Sequence, residues 1–198
     1  AWMVGGTRSS AAPSAIRQKV TAAAQGIPLF VEQLVSMFVD EGAIKNVDGT
    51  WRLADGAAEL RVPPTIHALL AARLDRLSRE ERAVVEPASV IGQVFAESAI
   101  QHLAPDVLHA GLGGHLVALD RKQLVHPVPG DDDDEARHRF HHILIRDAAY
   151  GGLLKRSRAQ LHERFVEWAD ARNAEADRGL EFEEILGYHL EQAHRYLS

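Results

Sequence analysis

Apolar side chains return at helical spacing along most of this 198-residue chain, and that periodicity constrains the fold more than any single motif. Phe30, Val31, Leu34, Val35, Phe38 and Val39 form one stripe, and Ile66, Leu69, Leu70, Leu74 and Leu77 a second. Leu161, Phe165, Trp168 and Ala169 make a third, and Phe182, Ile185, Leu186, Leu190 and Ala193 a fourth. Stripes of this kind are buried by packing helix on helix, so the expected class is mainly α.

Local signals divide the chain. Residues 1–13 carry no apolar period and read as a frayed lead-in. A modest helix over 15–25 ends at Gly26, and Pro28 opens the next, which runs to Gly42. Ile44, Val47, Trp51 and Leu53 around Asp48-Gly49 predict a β-hairpin. A helix restarts after Val62-Pro63-Pro64-Thr65, and Ser78 with Glu81 three residues on predicts a capping box for another that Gly92 stops. Short helices are expected over 97–103 and 105–120. Extended character follows at Leu124-Val125-His126-Pro127-Val128, then the acidic loop Asp131 to Glu135, then a second strand over 137–141. Three helices followed by a two-stranded ribbon is the order of a winged helix. Beyond Gly151-Gly152 two helices without a core of their own look like the opening of a helical repeat array. The expected domains are 1–78, a helical region with the hairpin, 79–150, the winged helix, and 151–198, the start of the repeats.

Composition narrows the class. With 46% apolar residues the chain can bury a real core. No apolar run approaches the roughly 20 residues that span a bilayer, so no membrane role is expected and the expected location is cytoplasmic. Zero cysteines exclude disulfides and thiolate metal sites, and a net charge of -6 offers no general attraction to nucleic acid. No Gly-x-x-x-x-Gly-Lys-Ser/Thr loop is present to cradle phosphates. The start at Ala1 leads to the expectation of a piece of a longer protein.

The run Gly26-Ile27-Pro28-Leu29-Phe30-Val31-Glu32-Gln33-Leu34 is followed by Trp51-Arg52-Leu53, Val62-Pro63-Pro64-Thr65-Ile66 and Leu70-Ala71-Ala72-Arg73-Leu74-Asp75-Arg76-Leu77. Val90-Ile91-Gly92-Gln93-Val94-Phe95 and Arg139-Phe140-His141-His142-Ile143-Leu144-Ile145-Arg146-Asp147-Ala148-Ala149-Tyr150 complete the order. Each is short, but six in this order are specific, and over 14–198 they resemble the C-terminal half of STAND-type signalling ATPases. In these regulators an AAA-like ATPase module precedes helical repeats, often beside a class III adenylate or guanylate cyclase or a LuxR-type DNA-binding domain. The resemblance implies an AAA-type helical lid with a β-hairpin, a winged helix with a two-stranded wing, and a TPR-like helical hairpin.

The resemblance also implies a nucleotide site. The family's Gly-x-Pro turn packs its proline on adenine, which carries over to Gly26 and Pro28, with Ile27 where Asn is usual. A histidine at the winged-helix end touches the ADP β-phosphate in related ATPases, and His142, five residues before Asp147, matches it. An imidazole there serves as a neutral donor or as a cation. Arg73 stands where some AAA ATPases carry a phosphate-sensing arginine. Each has a plain structural alternative: Gly26 as a C-cap, Pro28 as a first-turn proline, His142 capping near Arg146-Asp147 or packing beside Phe140, and Arg73 paired on a solvated face.

Other signals carry less. His138, His141 and His142 lack a ligand pattern for zinc, because strand alternation splits them between faces. Lys155-Arg156-Ser157-Arg158 reads as cations serving a helix-end dipole rather than nucleic acid. The functional expectation is a non-enzymatic regulatory fragment of an ATP/ADP switch that binds no nucleotide tightly by itself and works with a missing N-terminal nucleotide-binding domain. A winged-helix DNA-binding regulator is the first alternative, disfavoured because the 105–120 helix is poor in Lys and Arg and the wing is acidic. A protein-docking module at the C-terminal helices is the second.

Overall fold

The structure is a computed structural model and describes residues 18, 20–22, 24, 26–47, 50–54, 62–129, 135–176 and 179–197. The expected lead-in, the Asp48-Gly49 turn tip and most of the acidic loop lie outside these residues. The chain divides into two compact units, 1–69 and 70–198.

In the first unit, helical residues precede Gly26, and α1 runs from Pro28–Asp40. Strands β1 (Ile44–Val47) and β2 (Thr50–Leu53) pair antiparallel with Val47 opposite Thr50, which leaves the two-residue connection that Asp48-Gly49 predicts. The stripe on α1 is met in part: Phe30, Leu34 and Phe38 are buried with Met37, Val20, Ala24, Ile44 and Leu69, Val31 packs beside them partly buried, and Val39 is exposed. The next helix, α2 (Ile66–Asp75), contains the division between the units.

The second unit begins with the end of α2 and continues through α3 (Arg79–Ile91), β3 (Val94–Ala96) and α4 (Glu97–Leu103). A 3-10 turn over Asp106–Gly111 leads into α5 (Leu112–Arg121), then β4 (Val125–Val128) and β5 (Arg137–Phe140). Helices α6 (Ile143–Gly152), α7 (Lys155–Ala176) and α8 (Gly179–Leu197) complete it. The capping box forms as expected: the Glu81 amide donates to Ser78 Oγ at 3.1 Å and the Ser78 amide to Glu81 Oε2 at 2.9 Å. Among the described residues no helix is long and apolar enough to cross a membrane.

Four expectations are corrected. The ribbon is three-stranded, in the order β3-β5-β4, because Phe95 is buried against Phe140 with ring centroids 5.5 Å apart and brings Val94–Ala96 onto β5. The predicted 105–120 helix splits into a 3-10 turn and α5, beside the helix-poor Gly111, Gly113 and Gly114. Gly151-Gly152 does not break the chain but forms the last turn of α6, and the break falls at Leu153-Leu154. Along α8, Ile185 and Leu190 stay 46% and 54% exposed, while the buried line passes through His189 and Ala193 with Leu186 packed beside it. Phe182's side chain lies outside the described residues.

Helix α7 packs along α8 and also against α3 and α4. Leu103 from α4 meets Phe165 and Ala169 of α7. Arg172 of α7 bonds Glu135 at 3.0 Å, and Glu135 also takes the Ser98 hydroxyl, which fixes the base of the ribbon.

Candidate functional site

The Gly26-Ile27-Pro28 turn belongs to the first unit. Gly26 sits at φ +83°, the left-handed region that glycine enters at least cost, and the Ile27 amide closes the preceding turn on the Ala24 carbonyl at 2.8 Å. Pro28 takes the first helical position, where its missing N–H costs nothing. All three residues are exposed, so the apolar ring of Pro28 is presented to solvent.

Arg73, in the second unit, is buried rather than on the solvated face its plain reading required, being 4% exposed. Its guanidinium donates to the backbone carbonyl of Lys122 at the end of α5. Lys122 Nζ in turn lies 2.6 Å from both carboxylate oxygens of Glu81, so the α3 capping box is also half of an ion pair. The Arg82 guanidinium donates to the Leu74 carbonyl at 2.9 Å and draws the end of α2 onto α3.

His142 lies just past β5, which ends at Phe140, and caps α6: its Nδ1 accepts from the Leu144 amide at 3.1 Å. An accepting Nδ1 carries no hydrogen, so in the neutral ring the proton sits on Nε2. This half-buried ring therefore offers an N–H donor beside the positive end of a ten-residue helix. The plain alternative for this residue holds in modified form, since the cap is made to Leu144, not to Arg146-Asp147. His138 turns inward against Phe95, with burial lowering its pKa although Glu97 opposes the shift, and His141 is exposed with its ring 4.7 Å from His126.

The structure brings two of the expected positions to one stretch of chain. Arg73 fastens on the Lys122 carbonyl, and the His141 amide donates to the Leu124 carbonyl at 3.0 Å, which sets His142 one residue from the same connection. The basic run is corrected. Lys155 and Arg156 open α7, the end where a cation is disfavoured, and only Arg158 serves a helix C-terminus, donating to Gly151 in the last turn of α6 at 2.8 Å.

A second constellation was not foreseen. His162 on α7 and His189 on α8 are buried, and their Nδ1 atoms approach to 2.7 Å. His162 Nε2 lies 2.9 Å from the Tyr150 hydroxyl of α6, which donates to the Tyr196 hydroxyl at 3.4 Å. Arg158 stacks over the rings of Tyr150 and Tyr196 at 4.7 and 5.2 Å, and Arg146 over Tyr150 at 5.1 Å. Burial is the main cause holding His162 down to about 4 and His189 down to about 3, with Arg146 and Arg158 adding to the first and His162 and Arg146 to the second. The Tyr150 hydroxyl is pushed up, first by burial and then by its bond to Tyr196. The signal in the sequence was spacing: His189 falls three after Leu186 and four before Ala193, and His162 three before Phe165.

A cavity of about 540 Å³ opens elsewhere in this unit, among α3, the end of α4 and α7. Pro87 on its wall has no N–H to return to the Ala83 carbonyl, and Glu86 beside it has its carboxyl pushed up by burial against the opposing charge of Arg82. Among the described residues no group of three or more His, Cys, Asp or Glu stands ready to hold a metal.

No family model, no curated protein and no solved structure matches this chain. Its function is therefore argued from these residues.

Proposed function

We propose that the chain is a regulatory portion of a cytoplasmic, ATP/ADP-dependent signalling switch of the STAND type, comprising an AAA-like lid, a winged helix and the first hairpin of a TPR-like array. It senses nucleotide held by a separate phosphate-binding core and performs no hydrolysis itself. The observation that carries the reading is the state of His142. Its Nδ1 is committed to the Leu144 amide, so a neutral Nε2–H is the group left to meet a phosphate oxygen, at the end of a helix whose dipole favours anions.

Further support comes from the element order. Helices α3, α4 and α5 precede the β4–β5 ribbon, the order of a winged helix, and β3 adds a third strand to that ribbon. The exposed Pro28 ring suits contact with a flat heterocycle. Direct DNA reading is not supported by α5, which exposes Gly113, Gly114 and Val117 where phosphate contacts call for cations. A protein partner at the C-terminal helices has one observation in its favour: Ile185, Tyr188, Leu190 and Leu197 of α8 are all exposed.

Calorimetric titration of this chain with ATP and with ADP tests the division of labour. The expected result is no binding tighter than the millimolar range, since phosphate-cradling amides and a magnesium ligand set are not part of the proposal for this portion. Sub-micromolar binding of either nucleotide overturns it.

A further inference from the structure

The histidine pair sits where three helices meet, and its geometry limits how many protons it can hold. At 2.7 Å between the two Nδ1 atoms, one nitrogen donates and the other accepts. If Tyr150 donates to Tyr196, its oxygen accepts from His162 Nε2–H, and His189 supplies the shared hydrogen. A first added proton creates a buried imidazolium. A second puts hydrogens on both facing nitrogens, which the contact cannot contain.

Among the described residues nothing around the pair compensates a positive charge. Helix α6 contributes Arg146 and Tyr150, and α7 contributes Arg158. Helix α8 contributes Tyr188 and Tyr196, with Arg195 acting on the latter. From α3 comes the Ser89 carbonyl, which holds Arg146 Nε at 2.7 Å, and from α4 the apolar Leu103 against Phe165. Glu86 of α3 lines the cavity with Gln160, Arg164 and Glu167, which form a stripe of α7 separate from Arg158, His162, Phe165 and Ala169. Among the described residues the charged neighbours acting on the pair are arginines.

We propose that the His162–His189 contact is a proton-sensitive joint that docks α8 on α7, and that mild acidification releases α8. The device acts through the undocked state. Once α8 lifts, both rings are hydrated and titrate near their ordinary 6.5, whereas docked they stay neutral. The open state therefore gains protons as pH falls below 6.5, and its population grows with the square of the single-site factor. Release strips Leu186 from the Leu103, Phe165 and Ala169 cluster and uncovers an apolar face. This inference is independent of the nucleotide reading, because none of its residues belongs to that site.

Hydrogen exchange of α8 amides in this chain, corrected for the intrinsic dependence of exchange on pH, is the test. Between pH 7.0 and 5.5 two hydrated sites raise the opening constant about 70-fold, one site about 8-fold, and none leaves it unchanged. Wild type is expected to show the first figure, His162→Gln or His189→Gln alone the second, and the double variant the last, with α8 opening more often than α3 at every pH. The glutamines keep hydrogen-bonding capacity without a titrating ring. Should a variant fail to fold, as judged by circular dichroism at pH 7, the wild-type profile still decides. An α8 opening that does not rise, or that takes place only together with the opening of α3, overturns the proposal, as does a double variant as steep as wild type.

Discussion

Replacing Glu81 with Ala removes two interactions made by one carboxylate. The first is the capping box, in which Glu81 takes the Ser78 amide at 2.9 Å, and losing such a cap costs about 1 kcal/mol. The second is the ion pair with Lys122 Nζ at 2.6 Å. Breaking a fully buried pair costs roughly 3–5 kcal/mol, but the Lys122 side chain is 33% exposed, so its ammonium can turn towards water and the charge is only partly stranded. About 1–2 kcal/mol remains for that loss, which makes Glu81→Ala about 2–3 kcal/mol in total. Glu81→Gln is the informative companion. Its amide oxygen still accepts from Ser78, so only the charge is lost, at about 1 kcal/mol. Urea unfolding followed by circular dichroism measures both, with an unchanged m-value showing that the denatured state is the same. If Glu81→Ala stays within about 0.5 kcal/mol of wild type, or if the two variants are equally destabilised, the assignment of both roles to this carboxylate is refuted.

Two glycines are expected to respond in opposite directions to Ala. Gly26→Ala meets open space but must hold φ +83°, so it loses about 1 kcal/mol, whereas Gly113→Ala, also with nothing within 4 Å and inside α5, gains about 0.5–1 kcal/mol; thermal unfolding of each checks the sign. Global stability is expected to fall on acidification: both buried histidines lie below 6.5 when folded, so the unfolded chain binds more protons from 6.5 down towards 4, and stability present above 6.5 is lost as pH drops through that window. At pH 5 each ring contributes about 2 kcal/mol of that loss relative to pH 7, so the fall in unfolding free energy between the two pH values, measured by urea, should be smaller for His189→Gln than for wild type by about one such increment.

Features settled by neighbours in sequence were legible. The Ser78-Glu81 box, the pairing of β1 with β2 and the glycine-proline joint depend on residues within a few positions of one another, and each forms as the local chemistry demands. Features settled by distant partners were not. Strand β3 is three residues long, too short for alternation to register, and exists because Phe95 finds His138 and Phe140 more than forty positions later. Reading Gly151-Gly152 as a break misplaced the start of α7, and the basic run was assigned to the wrong end of a dipole as a consequence. The histidine joint escaped because a polar ring on an apolar stripe lowers the periodic signal it belongs to. Its partner lies 27 residues away, and only the packing of α7 on α8 shows that each ring satisfies the other.

His142 offers the sharpest separation of fold from function, because its two nitrogens have different employments. Nδ1 holds the first turn of α6 through the Leu144 amide, and Nε2 is the donor assigned to phosphate. Asparagine is among the best N-cap residues, so His142→Asn keeps an acceptor for the backbone and should remain within about 0.5 kcal/mol of wild type, while His142→Ala loses about 1 kcal/mol. Neither side chain can place an N–H where the imidazole edge reaches. In a longer polypeptide that pairs this chain with a phosphate-binding core, both variants should therefore release ADP faster, and by similar factors, although only one is destabilised. If His142→Asn retains ADP as wild type does, the ring matters only as a helix cap, and the nucleotide role assigned to it is lost.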